Sequence, residues 1–318
     1  HLNTLRWDGT PRLDTWLTKY ARAADTEYTR AVGRIVLVAA VRRARCPGCK
    51  FDEMMILESA QGTNKSTALS VLAGDPDWFT DDLPLGNDTK QAMEQTSGKW
   101  IVEAGELRGM SRGDVHALKG YLSRRFDEAR MAYGRKRKKM MRQFVIIGTT
   151  NETTDYLKDG TGNRRFWPVR INEFNLEALR SDRDQLWAEA AHCEATGSSI
   201  RLDPSLYAAA GEVQEERRAE DAMEVLIGQA FGELTGKIRT SEAWRILGIE
   251  GRVLTQDEMT RFGAAMRRLG WQRAQKRDGG DLAWHYVKGD IQERLRRLRV
   301  ERESGSIAVV EPAPAGEG

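Results

Sequence analysis

The sequence predicts an α/β protein built on a mostly parallel sheet, and three observations carry that reading. Between Phe51 and about Arg170, short apolar runs alternate with helical stretches: MMIL (54–57), WIV (100–102), FVIIG (144–148) and FWPV (166–169). Alternating strands and helices are what a parallel sheet with crossover helices requires. The first of these runs leads into a polar, glycine-containing loop and then a helical stretch to Leu72, in strand–loop–helix order. Finally, 40% of the 318 residues are hydrophobic and 31% charged. That is enough apolar material for a sizeable core in roughly two domains, and it excludes a mainly disordered chain.

The elements follow in order. Residues 1–50 form a helical N-terminal segment, with apolar positions at Leu13, Trp16, Leu17 and Tyr20, then Val32, Ile35, Val36 and Ala39. Pro47-Gly48 breaks that pattern, and the α/β core is expected over 51–200, closing on a helix from Asn175 to Thr196. A charged helical connector (201–235) leads to a small domain at 236–289 with helix, turn, helix and hairpin character, followed by a partly disordered tail (290–318) ending in EPAPAGEG. The longest apolar run, Ile35 to Val41, is seven residues, against the roughly 20 a spanning helix needs, so no membrane partner is expected. Three cysteines, Cys46, Cys49 and Cys193, cannot make a disulfide framework, which fits a reducing cytoplasm. Cys46-Pro-Gly-Cys49 has redox spacing without a thioredoxin-like context, and reads as a structural turn. The chain opens at His1 rather than Met, as a fragment of something longer would.

The loop after MMIL reads Glu58-Ser-Ala-Gln61-Gly62-Thr63-Asn64-Lys65-Ser66-Thr67. This is the setting of a P-loop, in which backbone N–H groups and a helix N-terminus cradle phosphates. Lys65 would reach the β- and γ-phosphates and the Ser66 hydroxyl would hold Mg²⁺. Ser59 and Asn64 stand where the motif has glycines; Asn tolerates the left-handed backbone best among non-glycine residues, so the loop can close. Further along, the apolar strand Lys99-Trp-Ile-Val-Glu103 ends in a carboxylate suited to Mg²⁺, and Glu106 could orient or deprotonate a water. The strand at Phe144–Gly148 runs into Thr149-Thr150-Asn151, whose polar tip could meet the γ-phosphate or the water. Gly162-Asn-Arg164-Arg165-Phe-Trp-Pro then offers two arginines, of which one supplied across a subunit boundary would stabilise phosphoryl transfer.

KFDEMMILESAQGTNKST, GKWIVEAGEL, FVIIGTTNE and TGNRRFWPV together resemble the virulence-associated protein E family, as do WDGTPRLDTWL (7–17) and CPGCKFD (46–52). Its members are phage- and island-encoded ATPases related to superfamily 3 helicases of the AAA+ class. The resemblance spans most of residues 1–290. It implies Lys65 and Ser66 as Walker A, Glu103 as Walker B, Asn151 as sensor 1, and Arg164 or Arg165 as arginine finger. It also implies ATP and Mg²⁺ as cofactors and a ring, taken as hexameric, that moves on DNA in replication within a bacterial host cell. Superfamily 3 enzymes often carry two adjacent acids in Walker B, whereas Ala104 follows Glu103 here.

Net charge is only +3, but it is unevenly spread. Arg135–Arg142 holds six basic residues in eight positions, and Gly236–Gly289 carries eleven Lys/Arg against six Asp/Glu. Local basic patches in a near-neutral chain point to a polyanion, although a solvated face is the plainer explanation of any one of them. Tyr133-Gly134 marks a turn ahead of the sensor strand. By resemblance, Arg135, Lys136, Arg137 and Lys138 are candidates to grip DNA in the ring's pore, with Lys119 beside them. The C-terminal domain reads as a winged helix-turn-helix: a helix begins with Thr240 as N-cap, Thr255-Gln-Asp-Glu258 is a capping box for a second, and a hairpin turns at Gly279-Gly280. Arg261, Arg267, Arg268, Arg273, Lys276 and Arg277 are its candidate phosphate contacts.

The expected function is thus an ATP-dependent helicase or translocase on single-stranded or forked DNA, with primase or other replication proteins as candidate partners. Two rivals are a DNA-binding initiator or regulator switched by nucleotide, and a helicase loader with little or no unwinding.

Overall fold

The computed structural model describes residues 1–84, 89–105, 107, 111–130, 136–151, 156–157, 163–218, 222–247, 254–278, 281–289, 295–303 and 306–310. The chain divides into two compact units, His1–Ala219 and Glu220–Gly318.

The first unit runs α1 (Trp16–Ala21), α2 (Glu27–Arg45), β1 (Met54–Glu58), α3 (Lys65–Ala73), β2 (Phe79–Thr80), α4 (Thr89–Thr96), β3 (Ile101–Ala104), α5 (Arg112–Leu122), β4 (Phe126–Ala129), β5 (Lys138–Met141), β6 (Val145–Thr150), β7 (Phe166–Arg170), α6 (Leu176–Ala195) and α7 (Tyr207–Glu216). Five strands make one sheet in the order β2-β3-β6-β1-β7, with every pairing parallel. A parallel sheet is buried on both faces, so its strands must be apolar on both. In β1, Met55 and Leu57 join one core with α2, α3 and α6, while Met54 and Ile56 join another with α4 and α5. β6 divides the same way, Val145 and Ile147 to the first core and Ile146 to the second.

The N-terminal helices are part of this unit rather than an appendage to it. The Thr26 hydroxyl caps α2 by accepting from Thr29 N–H at 3.1 Å. Every residue from Ile35 to Val41 is buried, as befits a helix covered on all sides. Tryptophans lock the layers: Trp100 donates to the Ala40 carbonyl at 2.9 Å, Trp187 to Leu72 at 2.8 Å, and the two rings lie 4.1 Å apart.

β4 and β5 form a separate antiparallel hairpin ahead of β6; the expected turn at Tyr133-Gly134 lies outside the described residues. Its base is held by Arg142, whose guanidinium pairs with Asp127 through two hydrogen bonds of 2.6 and 2.7 Å, donates to the Tyr121 carbonyl and lies 3.8 Å over the Tyr121 ring. Arg142 is therefore withdrawn from the basic surface in which the sequence counts it.

The second unit contains α8 (Ala222–Phe231), β8 (Gly236–Arg239), α9 (Thr240–Ala243), α10 (Gln256–Arg268), β9 (Gln272–Asp278), β10 (Asp281–Lys288), β11 (Arg299–Glu303) and β12 (Ser306–Val310). β8, β10 and β9 form an antiparallel sheet in that order. The Thr255–Glu258 capping box is present and opens α10. Thr240 is not a cap: Arg239 occupies the cap position, and the Thr240 hydroxyl is buried without a partner. β8 is an added strand, too short at four residues to show alternation. Residues expected in the frayed tail form the β11–β12 hairpin, while 311–318 lie outside the described residues. Among the described residues no helix is long and apolar enough to cross a membrane.

Asp127→Ala would leave the Arg142 guanidinium buried and uncompensated. Urea denaturation should show a loss of about 3–5 kcal/mol; a loss below about 1 kcal/mol, the scale of an exposed pair, would show that this pair does not anchor the hairpin.

Candidate functional site

In an open parallel sheet, ligands bind beyond the carboxyl ends of the strands, where neighbouring connections diverge. Here the chain leaves β1 through α3 for the far edge and returns, so that β6 lies between β1 and β3. Residues following β1, β3 and β6 therefore converge at one end of the sheet. The loop from Ser59 to Asn64 turns back on itself there through two left-handed residues, Gly62 (φ 83°) and Asn64 (φ 63°). Asn64 thus adopts the conformation for which a glycine would otherwise be needed. Helix α3 begins at the next residue, Lys65.

Lys65 is almost fully buried and its ammonium is surrounded by oxygens. It donates to Ser59 Oγ (2.9 Å), Asn151 Oδ1 (3.0 Å), Ala60 O (3.1 Å) and Ser59 O (3.2 Å), with Thr63 Oγ1 at 3.4 Å. Three N–H bonds face five acceptors, so this set can rearrange around an incoming anion without stranding the charge. Burial lowers the Lys65 pKa, and the Glu103 carboxylate opposes that.

Ser66 Oγ donates to Glu103 Oε1 at 2.8 Å, and Thr149 Oγ1 donates to the same oxygen at 2.6 Å. Glu103 is 2% exposed, and its Oε2 is buried with no hydrogen-bond partner among the described residues. Burial pushes the Glu103 carboxyl above its ordinary range; the hydrogen bonds from Thr149 and Ser66 pull the other way, and nearby Asp81 adds to the rise. Lys65, Ser66, Glu103, Thr149, Thr150 and Asn151 line a cleft of about 460 Å³ together with Asp81 and Asp82, which follow β2. The donors are all hard oxygens, one of them buried and unsatisfied, which fits Mg²⁺. Among the described residues no three His, Cys, Asp or Glu side chains are grouped as a ready metal site.

Glu58, the last residue of β1, is fully buried. It accepts from Arg217 Nε (2.9 Å) and Nη2 (3.1 Å) and from the Tyr156 hydroxyl (2.5 Å). This pair holds the strand end from which the loop departs.

Other expected site residues are placed elsewhere. Gln61 and Thr67 are exposed on the loop and α3. Glu106 and Arg135 lie outside the described residues. Arg164 and Arg165 precede β7, whose first residue Phe166 pairs with Met54. They are therefore at the opposite end of β1 from Lys65, about 13 Å away along the strand. Arg165 is drawn to Asp52 at 3.6 Å, whereas Arg164 is exposed with no ion-pair partner among the described residues. Lys119 corrects an expectation: it is 6% exposed, donates to Asn163 and lies over the Phe166 ring, so it is not presented to DNA. Lys136, Arg137 and Lys138 are exposed at the β4–β5 hairpin. In the second unit, Arg267, Arg273 and Arg277 are exposed, Arg261 and Lys276 half-buried, and Arg268 pairs with Glu224.

Sequence reasoning did not single out Asp81 or the role of Thr149. A two-residue strand, β2, shows no periodicity to announce Asp81. Thr149 carried a signal in its place at the tip of an apolar strand.

The sequence matches the virulence-associated protein E-like domain over residues 2–219. No curated protein matches it significantly. Among solved structures, the fold is similar to two apo structures of the NrS-1 C-terminal region. One has a TM-score of 0.52 at 13% identity and the other 0.50 at 12%, each covering 91% of this chain and 78% of the other.

The raised Glu103 pKa has a consequence for stability. A carboxyl that titrates above its unfolded value costs the fold stability as pH rises from the unfolded value to the folded one, and the full cost persists above both. Without Mg²⁺ or nucleotide, Glu103→Gln should therefore gain stability relative to the wild type as pH rises, with no pH-dependent difference below about pH 4, where the unfolded carboxyl is protonated. Denaturation midpoints across pH measure this; a difference that stays constant with pH would contradict a buried charge at Glu103.

Proposed function

The chain belongs to the virulence-associated protein E-like family, and on that premise we propose that it is an ATP-hydrolysing DNA helicase or translocase. It would act in replication of a phage or mobile element. The observation that carries the reading is the convergence of Lys65, Ser66, Glu103 and Asn151 on one cleft beside a loop with left-handed residues at 62 and 64. In this reading the loop from Ser59 to Thr67 is a P-loop in an AAA+-type core.

The chemistry follows from what each side chain can do. Lys65 exchanges loop carbonyls for β- and γ-phosphate oxygens, and its charge offsets theirs. Ser66 and Glu103 would hold Mg²⁺, which would supply positive charge to offset that of the phosphates. Thr149 keeps the Glu103 carboxylate turned into the cleft, and Asn151, released by Lys65, is free to orient the γ-phosphate or the attacking water. Glu106 remains the candidate to take the proton of that water. Arg164 is at the wrong end of the sheet for its own cleft and open to a second copy, which supports its supply across a subunit boundary in a ring, taken as a hexamer. Arg165, engaged by Asp52, is the weaker candidate.

The basic hairpin around Lys136, Arg137 and Lys138 is proposed as the moving grip on the DNA backbone, and the second unit as a winged helix that contacts DNA. Phosphate contacts of this kind give affinity without sequence choice and weaken steeply with salt. The nucleotide-switch alternative is favoured by Asn64 in place of the motif's glycine and by Ala104 where a second acid could follow Glu103; the left-handed backbone of Asn64 weakens the first of these grounds.

Hydrolysis of ATP by the purified protein, with and without single-stranded DNA, tests the reading. Turnover should rise with DNA at low salt, and Lys65→Ala should reduce it by about a hundredfold or more. Undiminished hydrolysis in that variant would remove Lys65 from the site.

A further inference from the structure

The β9–β10 hairpin of the second unit carries an exposed aromatic surface that none of the preceding chemistry uses. Leu282, Trp284 and Tyr286 alternate along β10 and so share one face of the sheet. Tyr286 is buried against Phe262 of α10, with ring centroids 5.8 Å apart. Two and four residues towards the hairpin tip, the same face leaves that core: Trp284 is 45% exposed and Leu282 63%. Their cross-strand partners on β9 are Gln275 and Arg277, and Arg273 is opposite Tyr286. The Arg273 guanidinium stands 4.7 Å from the centre of the Trp284 ring.

An exposed tryptophan on a strand is not by itself a site, since aromatic residues favour strands. What distinguishes this one is its setting. Two large apolar side chains are too little surface for a protein interface core, from which charged residues are usually depleted. Here the apolar pair sits among arginines, in a stretch of net charge +5 over Gly236–Gly289. A ligand that wants both a flat π surface and cations is a nucleic acid. In a duplex the bases are already stacked on each other, so the ring can accept only an unpaired base.

We propose that Trp284 is a stacking platform for an unpaired base of a single DNA strand, with Arg273 and Arg277 meeting the flanking phosphates. This rests on the reading of the second unit as DNA-facing, and it adds which form of DNA that unit takes. Stacking on a π face is tolerant of base identity, so this contact would hold a strand without reading it.

Binding of fluorescently labelled oligo(dT) to the full chain, measured by anisotropy, tests the proposal. It is paired with an abasic strand of equal length and a duplex. Wild-type protein should bind oligo(dT) more tightly than the abasic strand. Trp284→Ala should weaken oligo(dT) binding about tenfold or more while leaving the abasic strand unchanged, and Trp284→Phe, which keeps a π face, should restore most of the loss. Arg277→Ala should make binding of both strands less salt-dependent. Unchanged oligo(dT) binding in Trp284→Ala would overturn the platform while leaving DNA binding intact, and so would an equal loss on the abasic strand. A wild-type protein that binds neither strand nor the duplex would instead remove the DNA reading on which the platform stands.

Discussion

The Glu103 carboxylate sits near the end of β3, out of solvent, with one oxygen shared by the hydroxyls of Ser66 and Thr149 and the other without a donor among the described residues. Burying a charge with its hydrogen-bonding capacity half met is costly. Much of the first unit can be understood as holding that group in place. β6 lies between β1 and β3, which brings Thr149 beside Glu103. Helix α3 starts right after the loop, which puts Lys65 and Ser66 in its first turn. The buried Glu58–Arg217–Tyr156 group secures the strand from which that loop leaves. A cation and an anion together would satisfy both the orphaned oxygen and the crowded Lys65, which is the ground for proposing the metal complex of a nucleotide as its occupant.

The same sheet that gathers these groups separates them from Arg164. Parallel strands have two unlike ends, and the residues before β7 are at the end away from the cleft. If the cleft takes phosphates as proposed, an arginine there could complete such a site only for a neighbouring molecule. In the proposed reading catalysis is thereby linked to assembly: each chain would hold most of one site and a missing piece of another. Arg165 is adjacent in sequence but tied to Asp52, so neighbouring arginines take different parts, one structural and one open.

The arrangement of the first unit was legible where sequence pattern and topology constrain each other. Four apolar runs became β1, β3, β6 and β7 because a strand buried on both faces must be apolar throughout, and MMIL, FVIIG and FWPV have no polar alternative. Asn64 was readable as a left-handed position because few other residues adopt that backbone. What was hidden depends on contacts between distant segments. Asp81 follows a strand of two residues, Arg142 belongs to a run of basic residues yet is buried by Asp127 and Tyr121, and Lys119 finds Asn163 forty-four residues on. Charge counting cannot separate a cation at the surface from one inside a bidentate pair. In the second unit, Thr240 has the residue type of a cap, but β8 ends at Arg239 and the helix starts one residue earlier than a Thr240 cap requires.

In the proposed reading, a phosphate site is built from one chain and completed by another. Mixing two inactive variants tests it most directly. Lys65→Ala supplies an intact Arg164, and Arg164→Ala an intact Lys65 cleft. Each alone should hydrolyse ATP at background rate, and co-assembly at constant total protein should restore a measurable part of the wild-type rate, because some interfaces then pair an intact cleft with an intact arginine. Full activity of Arg164→Ala alone, or mixtures that stay at background although the chains co-assemble, would contradict a site shared between subunits through Arg164.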